Sequence, residues 1–192
     1  MRTRALIRVA ALSVFVNSCH PAVQPAVIAP SARSEAGRPL PSAARLARAD
    51  RRLELSGYRE AEADFRALLG APEATAARVG LGQVLVTTGR YTEAVSVLAP
   101  LVSSPTWNAD AALWTARAQQ CEGDVSAAER TLRSVPTAHV SHALELELGA
   151  VLLREGRRAD AEPVLMAVVN DYNEDRIKET DGAGLSLVGR AA

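Results

Sequence analysis

From position 42 onward, apolar side chains recur every three or four residues, the spacing that gathers them on one face of an α-helix. The periodic stretches come in pairs. They run 42–56 and 58–69 around Gly57, 74–88 and 91–102 around Gly89, 109–122 and 126–135 around Gly123, and 140–155 and 159–171 around Gly156. A glycine accepts the left-handed backbone that ends a helix, so each pair is expected to be a helical hairpin turning at its glycine. Pro100 and Pro163 interrupt second helices. Pro163 lies near a first turn, where the missing N–H costs little, whereas Pro100 is expected to kink its helix.

The pairs are also copies of one another. A small residue is followed twelve positions later by an alanine at Ala49/Ala61, Gly82/Ala94, Ala116/Ala128 and Gly149/Ala161, and successive copies step by 33, 34 and 33 residues. Self-similarity at that period marks stacked helical hairpins, each burying its apolar face against a neighbour. Small residues are expected where the two helices of a unit cross, because a leucine there would overpack the junction by about 1–3 kcal/mol. Four residues after each alanine stands a bulky side chain, Phe65, Leu98, Leu132 or Leu165, expected to fill the gap toward the next unit. The pattern predicts an all-α, right-handed superhelical solenoid of four hairpins, assigned to 42–72, 74–105, 109–136 and 140–171, plus a partial fifth helix.

Part of this pattern resembles a known family. The stretch GLGQVLVTTGRYTEAVSVLAPLVSSP looks like a tetratricopeptide repeat, with Leu81-Gly82 in the first helix, Gly89 and Tyr91 at the turn, Ala94 and Leu98 in the second, and Pro105 closing. LGAVLLREGRRADAEPVL matches nearly as well, while the first and third copies have Arg48-Ala49 and Thr115-Ala116 in place of Leu-Gly. The resemblance implies a concave groove lined by first helices, at Leu46, Asp50 and Leu53, then Val79, Gln83 and Val86, then Leu113, Arg117 and Gln120, then Leu146, Ala150 and Leu153. The Lys/Asn set by which some members grip a C-terminal carboxylate is absent, since Leu46, Asp50, Val79 and Gln83 are wrong for it. A largely apolar groove suits an amphipathic helix or an extended apolar segment of a protein partner. Packing of the same side chains inside the array is the alternative.

The N-terminus, MRTRALIRVAALSVFVNSC, begins with Arg2, Arg4 and Arg8 and continues with an apolar run at 9–16. That run is too short for a hydrocarbon core needing roughly 20 helical residues, but it suits the centre of a secretory signal. Its end, Val16-Asn17-Ser18-Cys19, resembles the lipobox of bacterial lipoproteins, which implies cleavage before Cys19, lipidation of its sulfur and residence at the cell envelope. Residues 1–19 are therefore expected to be a signal, and the Pro/Ala-rich 20–41 an extended spacer. A lipidated Cys19 leaves the body without an intrachain disulfide, with Cys121 as a small packing residue. At the other end, 172–192 begins as a polar loop, and Val188-Gly189 resembles the junction of a further hairpin whose partner alanine falls beyond Ala192. A short capping helix and the N-terminal part of a longer repeat protein are both open here.

Composition narrows the function. The chain has 192 residues, 48% hydrophobic but only 4% aromatic, so its core is expected from Leu, Val and Ala, which suits close helix packing. With 22 basic and 22 acidic residues intermixed, no basic stripe marks a nucleic-acid surface. His139 and His142 lack companion ligands at zinc spacing, and Asp171, Asn173 and Asp175 begin a calcium-like loop that Arg176 and Gly182 spoil. Phosphate loops, nucleophile elbows and H-E-x-x-H pairs are missing from the sequence, and Glu60, Glu62 and Asp64 are expected on a solvated helix face. The expectation is thus a non-catalytic protein-binding scaffold without metal or cofactor. Its alternatives are the repeat region of a larger envelope enzyme, or a subunit that assembles with copies of itself.

Overall fold

The computed structural model describes residues 40–104 and 108–174, and over these it is all-helical. Its helices are α1 (Ser42–Glu54), α2 (Tyr58–Ala67), α3 (Ala74–Thr87), α4 (Tyr91–Val102), α5 (Ala109–Glu122), α6 (Val125–Arg133), α7 (His142–Arg154) and α8 (Arg158–Asn173). A single 3-10 turn, Thr137–His139, precedes α7. Helices α1–α6 belong to one compact unit and α7–α8 to another. The signal, Cys19, most of the spacer, Pro105, the calcium-like Asp175, Arg176 and Gly182, and the Val188-Gly189 junction all lie outside the described residues.

Each helix begins where local chemistry allows. Pro41 takes the N-cap of α1, so the helix opens as the proline-rich stretch ends. Further on, side chains cap directly: Asn108 accepts from the Ala111 N–H at 2.9 Å, Asp124 from Ala127 at 2.8 Å, and Ser141 from Leu144 at 3.4 Å. Helix α4 runs continuously through Pro100. Pro100 and Ser96, whose carbonyl loses its helical donor, are both exposed, so water can take that hydrogen bond.

The turns follow the repeat more strictly than the glycines do. Gly89, Gly123 and Gly156 have φ of 81°, 90° and 76°. The N–H after each reaches back five residues, Arg90 to Leu85 at 2.8 Å, Asp124 to Gln119 at 2.9 Å and Arg157 to Leu152 at 2.9 Å. In the first hairpin the left-handed residue is Ser56, with φ 62°, and Gly57 is at φ −79°. Gly57 instead donates the reaching bond, to Arg52 at 2.7 Å. The expectation that Gly57 makes the turn is corrected. Positions 56, 89, 123 and 156 keep the repeat step, and the glycine stands one residue late.

Packing rests on the small positions. Ala49, Ala61, Ala94, Ala116, Ala128 and Ala161 are fully buried, and Gly82 and Gly149 are buried with them. What demands the glycines is not the alanine expected opposite. A Cβ on Gly82 would lie 2.7 Å from Leu98, and one on Gly149 would collide with Leu165. Leu98 and Leu165 therefore pack against the first helix of their own hairpin. Phe65 does cross between hairpins: it is fully buried, and its ring occupies the space where Gly80 of α3 lacks a side chain. Burying that ring stabilises by about 1.5–3 kcal/mol.

Two outcomes test this packing. In Gly82→Ala, a helix-propensity gain of about 1 kcal/mol opposes an overpacking cost of about 1–3 kcal/mol. Because Leu98 is fully buried, the cost should win: the variant should be less stable in urea unfolding, and the same change made in Leu98→Ala should become stabilising. Ser56→Gly should raise stability by about 1 kcal/mol, removing the left-handed penalty, while Gly57→Ala at ordinary φ should gain nothing comparable.

Candidate functional site

The residues of α1 divide between two opposite faces. Arg48 and Arg52 stand one turn apart and both reach Asp64 on α2. Arg48 Nη2 donates to Oδ1 at 2.6 Å and Nε to Oδ2 at 2.9 Å, and Arg52 Nη1 donates to Oδ2 at 2.5 Å. Asp64 is only 7% exposed, so it is not a solvated carboxylate as expected but the buried centre of a two-arginine clamp. Leu46, Asp50 and Leu53 lie about half a helical turn away from these arginines, turned to the other side. The clue was available in sequence: two arginines four apart on one helix, facing an acid on an apolar edge of the next.

Second helices carry their own charge network. Arg90 Nη1 donates to Glu62 at 2.8 Å, Arg66 Nε donates to Glu62 at 2.9 Å, and both arginines pair with Glu93. Arg66 is held further above its usual value by Glu93 and then Glu62, Arg90 by Glu62 first, and the Glu93 carboxyl is held down by Arg66 and then Arg90. These four charges thus each have an opposite partner. The pairs are exposed and worth little individually.

First helices open onto a cleft of about 460 Å3. Leu46, Asp50 and Leu53 of α1, Pro72 and Glu73 before α3, Thr75, Ala76, Val79, Gly80 and Gln83 of α3, and Asn108 and Asp110 at the start of α5 line it. Five of the projected groove residues therefore meet here: Leu46, Asp50, Leu53, Val79 and Gln83. The others do not join them. Val86, Leu113, Gln120 and Leu146 are buried at 5–9% exposure and serve as packing residues. Arg117 is half-buried with its guanidinium 4.8 Å over the Trp114 ring, and Ala150 and Leu153 are half-buried on α7 in the other unit. The physical reason is that α3 contacts α5 as well as α1, so first-helix positions beyond the cleft go into helix–helix packing.

The described lining is apolar and acidic. It contains Asp50, Glu73 and Asp110 and no arginine, lysine, histidine or cysteine. Partial loss of water, and secondarily the charge of Glu54, push the Asp50 carboxyl above its ordinary value. Glu73 and Asp110 escaped sequence reasoning because they lie in a turn and a first helical turn, off the first-helix stripe.

Two further side chains depart from expectation. Cys121 on α5 is disulfide-bonded rather than a packing thiol, and the chain's other cysteine is Cys19. His142, given no partner by the sequence pattern, is half-buried, with Nε2 2.6 Å from Asp171 Oδ2 across the α7–α8 hairpin. In a hairpin the start of one helix meets the end of the other, which is why these distant residues touch. Glu145, one turn along, is raised above its ordinary value by burial, an effect His142 opposes and Asp171 reinforces.

Glu145 yields a pH test. A carboxyl raised in the fold binds its proton more tightly there than in the unfolded chain, so its ionisation lowers stability as pH rises through the folded value. Glu145→Gln should melt higher than the parent near neutral pH, and the difference should vanish below the usual carboxylate range. Equal melting at both pH values would contradict the cause given. No family model, curated protein or solved structure matches the chain.

Proposed function

We propose that this chain is a non-catalytic scaffold that holds a protein segment in the α1–α3–α5 cleft, its hairpins arranged as a right-handed tetratricopeptide-like solenoid. The observation that carries the reading is the cleft itself: residues singled out for an exposed first-helix groove, Leu46, Asp50, Leu53, Val79 and Gln83, line one cavity. Such a cleft can seat part of an amphipathic helix or an extended strand of side chains. Repeats of small crossing residues supply a rigid frame for it, as in tetratricopeptide proteins.

The reading places the protein outside the cytoplasm, exported by 1–19 and tethered through lipid on Cys19. The disulfide at Cys121 favours a second reading of the same end. One sulfur cannot carry both a thioether and a disulfide, so an exported, untethered chain whose Cys19 is consumed by Cys121 is the competitor. Both fit an oxidising compartment.

Photo-crosslinking inside cells tests the groove. A photoreactive residue at Gln83 or Asp50 should give adducts with a polypeptide, whereas one at exposed Ala63 on α2 should not. Equal labelling from all three positions would overturn the groove reading. For the tether, Cys19→Ala should release the protein from membranes while Cys121→Ala should not. Membrane retention of Cys19→Ala would overturn the lipid tether, and a soluble parent chain with a lipid-free intact mass would establish the untethered alternative.

A further inference from the structure

Resting on the groove reading, we infer that the occupant of the cleft is a cationic apolar segment, one that presents Arg or Lys among aliphatic side chains. The walls argue for both halves of that description. Leu46, Leu53 and Val79 give an aliphatic floor from two helices, and Asp50, Glu73 and Asp110 place carboxylates around it from three separate elements. The described lining supplies no cation to answer them. Two other acidic groups in this unit are matched by arginines: Asp64 has Arg48 and Arg52, and Glu62 and Glu93 share Arg66 and Arg90. The three cleft acids have no such pair among the described ion pairs.

The imbalance has a measurable burden. Glu73 Oε2 is buried with no hydrogen-bond partner, a state that costs free energy until a donor or a positive charge approaches. Asp50 is also pushed toward its protonated form by partial loss of water. A guanidinium or ammonium entering the cleft would relieve both, while its flanking aliphatic side chains covered the floor. An anionic segment would add a like charge to an acidic site, and a C-terminal carboxylate would meet acids where it needs amines.

The test uses three fluorescein-labelled hexapeptides and the whole exported chain: Leu-Arg-Leu-Leu-Arg-Leu, the same peptide with Glu for Arg, and the same with Ser for Leu. Anisotropy should show binding of the Leu/Arg peptide alone, weakened by added salt. Combined Asp50→Asn and Asp110→Asn should weaken it by about tenfold, as expected for two partly exposed charge contacts. The same charge change at Asp160 and Glu162 on α8 should leave it within about twofold, separating the cleft from general attraction of a cation to an acidic surface. Thr75→Arg, at an exposed position of the cleft, should weaken binding without disturbing the core, with circular dichroism as the check on folding.

Failure of the Leu/Arg peptide to bind, equal binding of the Leu/Glu peptide, or indifference to Asp50→Asn with Asp110→Asn would each overturn the cationic occupant. The groove reading falls separately. It survives if crosslinks still arise from Gln83 and not Ala63, and it is lost if they do not.

Discussion

Where two helices of this protein cross, one presents a residue with little or no side chain and the other fills the space. Leu98 lies against Gly82, Leu165 against Gly149 and Phe65 against Gly80. Helix separation is set by what stands at the crossing, so these pairs bring backbones close and let modest aliphatic side chains build a dense core. A chain with so few aromatic residues has little else from which to make one. The pairings also differ in role. Leucine against glycine closes a hairpin on itself, and phenylalanine against glycine locks one hairpin to the next. Stacking and hairpin closure are therefore separate tasks carried by equivalent positions.

Close packing on one side leaves the other side of α1 available. The clamp of Arg48 and Arg52 on Asp64 fixes the helix about its own axis. Removing one member would strand a buried charge, a loss larger than the net value of the clamp. Its effect on the site is geometric: with the arginines turned to α2, Leu46, Asp50 and Leu53 line the cleft, the two leucines also packing on the core. The charge pairs among Glu62, Arg66, Arg90 and Glu93 do the same for second helices, satisfying that surface internally. The cleft acids lie on the first-helix side, beside the half-buried Leu46, Leu53 and Val79.

The matched groups and the cleft carboxylates have different surroundings in this molecule. The strongly matched groups lie on α2 and α4, where pairing holds arginines charged and Glu93 ionised, and where they act as structure. The cleft sets carboxylates of α1, of the turn before α3 and of the start of α5 against leucine and valine. Its acids come from three elements, so the site exists only once the first three first-helices are packed.

The helices, their pairing and the small residues between them were legible in the chain because all three are periodic. A hairpin repeated at a constant step writes its contacts into residue type, and even the turn at Ser56 obeys the step although its glycine does not. Tertiary structure decided what periodicity leaves degenerate. Equivalent first-helix positions have the same sequence register, yet Val79 lines the cleft while Leu113 is buried, since exposure depends on which neighbour packs alongside. Partners distant in sequence, Asp64 with its two arginines and His142 with Asp171, followed from helix rotation and hairpin closure. Glu73 and Asp110 entered the site from a turn and a helix start, where no repeat announces them, because a cleft gathers whatever lies near in space.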